Sequence, residues 1–139
     1  MKFGFDLHGV IDASPEVFSV LTKSLVHCEH EVHILTGEHW SDKIEKQLKD
    51  FGIEWTHSFS IADHHKAVGT TMTYIKENNP MIDAVMWDRT KADYCKLHGI
   101  HLHLDDTKIY GDYFETPFAR FWSKNNKPKG DHKEERHLE

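Results

Sequence analysis

Phe3 and Phe5 alternate with Lys2 and Gly4, a period of two that predicts a short strand closing on the carboxylate Asp6. Ser14, Pro15 and Glu16 then read as a helix start, with a capping hydroxyl, proline at the first helical position and an acid in the first turn. Val17, Val20, Leu21, Ser24 and Leu25 form the stripe of that helix to about residue 28. EVHILTG, residues 31–37, returns to strand and stops at Gly37. Ser41 or Asp42 caps a second helix with Ile44, Leu48 and Phe51 on one face, ended by Gly52.

IEWTHSFSI, residues 53–61, is β-branched and aromatic, hence a third strand. Residues 62–79 predict a short helical turn and a small hairpin insertion near 70–76, because TTMTYI favours strand and Gly69 interrupts a helix. NPMIDAVMWDRTKADYCKLHG opens with Asn79 as cap and Pro80 as first helical residue, is helical for most of its length and closes at Gly99. IHLHL, residues 100–104, is a fourth strand with Ile100, Leu102 and Leu104 on one face, and it runs into Asp105 and Asp106.

Strand and helix alternate, which predicts an α/β fold: an open, mostly parallel sheet with helices on both faces. Ligands of such sheets lie beyond the carboxyl ends of the strands. Asp6, Thr36 with Gly37, and Asp105 with Asp106 each stand at such an end, so groups distant in sequence are expected to converge on one edge. A carboxylate there costs packing but is well placed for chemistry.

The 139 residues suit a single domain over 1–122, followed by a polar tail over 123–139 that contains one leucine and cannot bury enough surface to offset ordering. A net charge of -6 argues against a general nucleic-acid footprint, which needs excess lysine and arginine along one face. Cys28 and Cys95 form neither a disulfide framework nor a CxxC pair, and are expected as buried free thiols in a reducing compartment. No apolar run is long enough for a bilayer, and Asp6 interrupts any leader-like stretch, so the expected location is cytoplasmic.

Carboxylates drawn together stay ionised at neutral pH when a cation sits among them, and an all-oxygen set suggests a hard ion, most simply Mg²⁺. Lys91 can add a second positive charge, and the Thr36 hydroxyl with the amides at 36 and 37 can hold phosphoryl oxygens. Together these parts make a phosphoryl-transfer site. Lys66, which follows the third strand, competes with Lys91 for the phosphate and ranks second because Lys91 has the better spacing to the paired acids.

DLHGVID, residues 6–12, resembles the first motif of the haloacid dehalogenase superfamily, HILTG its second, and TKADYCKLHGIHLHLDD its third and fourth combined. The resemblance covers residues 1 to about 122. It implies a three-layer Rossmann-like fold without a full cap domain, and Mg²⁺-dependent phosphomonoester hydrolysis through an aspartyl-phosphate on Asp6. It implies further that Thr36 and Lys91, with Gly9 and Gly37, hold the phosphoryl group. Asp6, Asp105, Asp106 (directly or through water) and the main-chain carbonyl of His8 would hold the metal. The open site fits a small phosphate ester, an accessible phosphoryl group on a larger molecule, or a lid borrowed from a neighbouring subunit. KADYC and IHLHLDD are similar to small nucleotidase-like members, including phage-encoded ones, which leans toward a nucleotide.

The pattern departs at His8, where family phosphatases carry a second aspartate. An imidazole of ordinary pKa, about 6.5, can protonate a leaving oxygen and then activate water. His8 equally fits a slower hydrolase, a different leaving group, or a catalytically weak binding or regulatory module. His27, His30 and His33, with Cys28, straddle a helix end and a strand start, so they are expected to diverge rather than bind zinc. His101 and His103 are expected to pack under a helix, the alternative being a hydrogen bond near the metal. Tyr110, Tyr113, Phe114, Phe118, Phe121 and Trp122 are expected as core or docking residues, the alternative being stacking on a base.

Overall fold

The computed structural model describes residues 1–76 and 79–124. Along the chain lie β1 (Lys2–Asp6), α1 (Pro15–His27), β2 (Glu31–Thr36), α2 (Asp42–Asp50), β3 (His57–Ser60) and α3 (Ile61–Ala67). These are followed by β4 (Thr73–Lys76), β5 (Asn79–Met81), α4 (Ala84–His98), β6 (Leu102–Asp105), a 3₁₀ segment (Lys108–Tyr113) and β7 (Phe118–Arg120). Five strands make one parallel sheet in the order β3-β2-β1-β6-β7, and β4 with β5 makes a separate antiparallel pair.

The sheet grows outward from β1 in both directions, so the winding reverses between β1 and β6. That is where parallel α/β sheets open a crevice at their carboxyl ends. Alternation along the strands supplies two apolar faces. Phe5, Val32 and Ile34 pack with Phe18 of α1 and with Ile44 and Leu48 of α2. Leu35 points the other way and packs with Tyr94 and Cys95 of α4 and with Ile100. Helices thus flank the parallel sheet, in keeping with a Rossmann-like three-layer arrangement. Truncating a fully buried ring such as Phe18 in such a core costs about 3–5 kcal/mol.

Several local expectations are corrected. The face of α1 that is buried carries Phe18 and Thr22, whereas Val17, Val20 and Leu21 are exposed. Thr22 is tolerated inside because its hydroxyl donates to the Phe18 carbonyl at 2.6 Å and accepts from the Glu54 amide at 3.2 Å. Ser14 stands at the N-cap of α1 without a side-chain bond, while Ser41 caps α2 by accepting from the Ile44 amide. The third strand is shorter than expected, because Ser60 caps α3 and Ile61 already belongs to the helix.

Asn79 and Pro80 do not start a helix. They lie in β5, with Pro80 opposite Tyr74, and α4 begins after Asp83, whose carboxylate accepts from the Met86 amide. A two-stranded pair tolerates proline because one edge of each strand needs no ladder bond. The expected hairpin insertion is therefore present but displaced, with strands at 73–76 and 79–81. Gly99 ends α4 in the left-handed conformation, with φ of 66°. Beyond the four expected strands, β7 forms a fifth alongside β6. Cys95 is buried as expected, but Cys28 is exposed. The polar tail expected over 123–139 lies outside the described residues beyond Lys124. No helix among the described residues is long and apolar enough to cross a membrane.

Candidate active site

The carboxyl ends of β1 and β6 carry Asp6 and Asp105, and α4 brings Lys91 to them. One ammonium joins them: Lys91 Nζ donates to Asp6 Oδ1 at 2.8 Å and to Asp105 Oδ2 at 2.9 Å. Asp106 completes the group, and one oxygen from each of the three acids lies within 4.8 Å of the others. All four side chains are buried. Among the described residues, three acids stand against one lysine, a surplus of negative charge away from water.

The protonation balance follows from that surplus. Burial and then the charge on Asp105 raise the pKa of Asp6 well above the usual carboxylate range, and Lys91 offsets this in part. Burial works against the charge on Asp105 too, yet Lys91 and the hydrogen bond from His103 outweigh it and hold that carboxyl below the usual range. For Lys91, burial is outweighed by Asp105 and Asp6, and its pKa is raised. The Lys91 ammonium also sits 5.3 Å from the centroid of the Tyr110 ring.

His103 Nε2 donates to Asp105 Oδ2 at 2.9 Å, and its ring stacks on Phe114 with centroids 5.2 Å apart. It therefore holds the carboxylate as well as packing, the less expected of its two roles. His101, by contrast, is exposed and accepts from the Lys2 amide. Gly4 is required opposite His103, since a Cβ there would fall 2.6 Å from its Nδ1.

Thr36 closes β2 beside the same crevice, and its buried hydroxyl oxygen has no hydrogen-bond partner among the described residues. Gly37 accepts from the Ala62 amide through its carbonyl. Gly9, with φ of 88°, turns the chain after β1, and its amide donates to Asp12 Oδ1 at 2.7 Å. Lys66 is exposed on α3, so Lys91 is the lysine that meets the acids.

The imidazole of His8 is held between two carboxylates: Nδ1 lies 3.1 Å from Asp12 Oδ2 and Nε2 lies 2.9 Å from Glu38 Oε1. Burial opposes its charge, but the bonds to Asp12 and Glu38 prevail and raise its pKa to about 9. A groove of about 520 Å³ opens beside it, lined by Glu38, Ser41, Lys43 and Gln47.

Glu38 is absent from the expected set, whereas His103 was expected there only as the alternative role, since it alternates with Asp105 and so shares its face. Glu38 sits in a loop, where no period applies. His27, His30 and His33 do not converge with Cys28; His33 instead meets Glu31 and His57.

An all-oxygen donor set, a surplus of buried negative charge and an unpartnered hydroxyl beside it fit a hard divalent cation with a phosphoryl group. No family model, curated protein or solved structure matches the chain.

Proposed function

We propose that the chain is a Mg²⁺-dependent phosphomonoester hydrolase of the haloacid dehalogenase type, with Asp6 as its nucleophile. The observation that carries this reading is the Lys91 ammonium bridging Asp6 and Asp105 within a buried three-carboxylate cluster at the sheet's switch point. Asp6, Asp105, Asp106 and the His8 carbonyl would hold Mg²⁺, which when bound supplies positive charge to the phosphoryl oxygens.

In the first step a carboxylate oxygen of Asp6 attacks phosphorus, the ester P–O bond breaks, and the departing oxygen takes a proton from His8. Lys91 and the Thr36 hydroxyl steady the charge on the phosphoryl oxygens. In the second step a water oxygen attacks the aspartyl-phosphate while its proton passes to His8. The bond from phosphorus to Asp6 breaks, and inorganic phosphate and the carboxylate are released. The open groove beside His8 suits a small ester such as a nucleotide.

Phosphate release over a panel of nucleotides, sugar phosphates and phosphopeptides tests the reading. Turnover is expected to require Mg²⁺ and to fall to background in Asp6→Asn. Full turnover in that variant would exclude the covalent scheme. A second reading, a binding or regulatory module with little hydrolysis, is favoured by one observation: both ring nitrogens of His8 are already engaged by acids. It predicts Mg²⁺-dependent ligand binding by calorimetry while wild type and His8→Asp both release no phosphate.

A further inference from the structure

At the amino end of β2, about 10–16 Å along the strand from Thr36, a second cluster of metal-ligating side chains lies outside the machinery described above. His33 and His57 are register partners on the neighbouring strands β2 and β3, and Glu31, two residues before His33, shares their face. His33 Nε2 lies 2.8 Å from Glu31 Oε1, and His57 Nδ1 lies 3.7 Å from the same oxygen. One ligand atom from each residue lies within 4.8 Å of the other two.

We propose that Glu31, His33 and His57 form a second metal site, selective for zinc or a similar first-row ion rather than for Mg²⁺. Two imidazoles and one carboxylate are the donors such borderline ions prefer, whereas Mg²⁺ prefers oxygen alone. Ligand atoms around a tetrahedral ion with bonds of about 2.0–2.1 Å stand about 3.3 Å apart, a spacing that the two observed separations bracket. With the carboxylate ionised and both rings neutral, the site carries one negative charge for a divalent ion to meet. Burial keeps His33 below its ordinary pKa, which favours the neutral ring.

His33 is ready for this role. It is buried, and its Nδ1 lies 2.7 Å from the Tyr94 hydroxyl, an outer partner that fixes the ring and leaves Nε2 facing the cluster. His57 must turn. The two rings stack with centroids 4.3 Å apart and planes 5° from parallel, whereas a bound ion lies in the plane of each imidazole. The turn is open to it because His57 is half-exposed, and it gives up the bond between its Nδ1 and the Thr56 hydroxyl at 2.8 Å. Water or His98, whose ring centroid is 6.4 Å from that of His33, can complete the shell.

The test uses the full chain, stripped with a chelator and titrated with Zn²⁺ by calorimetry and with Co²⁺ by visible absorption. Wild type and the Asp6→Asn/Asp105→Asn double variant are expected to bind the same one equivalent at this site, undisturbed by millimolar Mg²⁺. Glu31→Gln, at a half-buried position, and His57→Ala, at an exposed one, should weaken it at least about tenfold, and Tyr94→Phe should weaken it while keeping the stoichiometry. His33→Ala is avoided because it cuts into the core. Unchanged affinity in both Glu31→Gln and His57→Ala, or loss of the equivalent in the double variant, would overturn the site and leave a plain hydrogen-bonded cluster.

Discussion

The two ends of β2 meet the same difficulty, ionisable side chains in a low-dielectric interior, and resolve it in opposite ways. At the amino end His33 is neutralised pairwise: each ring nitrogen has a partner, Tyr94 or Glu31, and Glu31 is partly open to water. At the carboxyl end, among the described residues, Asp6 and Asp105 share Lys91 beside a third buried acid, Asp106, and Thr36 keeps a buried hydroxyl without a partner. A balanced cluster is stable as it stands. An unbalanced one is costly unless a cation and an anionic group arrive together, which is why the carboxyl end reads as the place of chemistry.

The largest effect should come from making the imbalance worse. Lys91→Met removes the ammonium that bridges Asp6 and Asp105 and leaves those buried charges without it, a loss of about 3–5 kcal/mol. Chemical denaturation should show that loss, and millimolar Mg²⁺ should restore part of it. Unchanged stability would mean that the acids are not ionised together. A comparable change at the other end, Glu31→Gln, removes an acid that is partly open to water and should shift stability by less than about 1 kcal/mol.

Much of this division was legible in the chain. Strand period placed Asp6, Thr36 and Asp105 at the tips of β1, β2 and β6, and the spacing of Lys91 from the paired acids carried it into the crevice. What escaped was whatever depends on two signals competing or on a segment too short for a period. Asn79-Pro80 looks like a helix start, but Pro80 pairs with Tyr74 in β5 and Asp83 caps α4 instead. The buried side of α1 was misjudged because Thr22, a polar residue satisfied within its own helix turn, occupies a core position. The strand β7 has three residues and no alternation to read. Glu38 became a partner of His8 through a loop conformation that no pattern encodes.

The next effect tests the support beneath the acids. Gly4→Ala drives a methyl into His103 Nδ1 at 2.6 Å, and the displaced ring then loses its bond to Asp105. The expected cost is about 1–3 kcal/mol in stability, with weaker Mg²⁺ binding by calorimetry. Zn²⁺ binding at Glu31, His33 and His57 should be untouched, which separates the two ends again.

Acid and alkali should break the molecule at different places. Burial lowers the pKa of His33, His65 and His103, so each binds fewer protons folded than unfolded. Their contribution is full above about pH 6.5 and lost as pH falls below it. His8 has the opposite sign. With its pKa raised to about 9, its contribution is full below the unfolded value and lost as pH rises through that range. Melting temperature against pH should therefore fall on both sides. His8→Gln should flatten the alkaline limb alone, by about 1–2 kcal/mol once partial exposure of the ring is allowed for. Persistence of that limb would place the alkaline titration elsewhere.

The smallest effects come from the two ends of β3, where a hydroxyl at each end ties the strand to its neighbour. Ser60 donates to the Glu38 carbonyl at 2.7 Å and accepts from the Asp63 amide at 3.0 Å, so it anchors the loop that clamps His8. Thr56 donates to the Val32 carbonyl at 3.1 Å, accepts from the Val32 amide at 2.9 Å, and holds His57. Ser60→Ala and Thr56→Ala should each cost about 1 kcal/mol, since they remove two and three side-chain hydrogen bonds respectively, all of them partly buried or exposed. Their functional signatures should divide. Ser60→Ala loosens Glu38 and should slow phosphate release without altering Zn²⁺ affinity. Thr56→Ala frees His57 to turn and should leave phosphate release alone while tightening Zn²⁺ binding. If both variants moved both readouts, β3 would be coupling the two clusters, and they could no longer be treated as independent sites on one sheet.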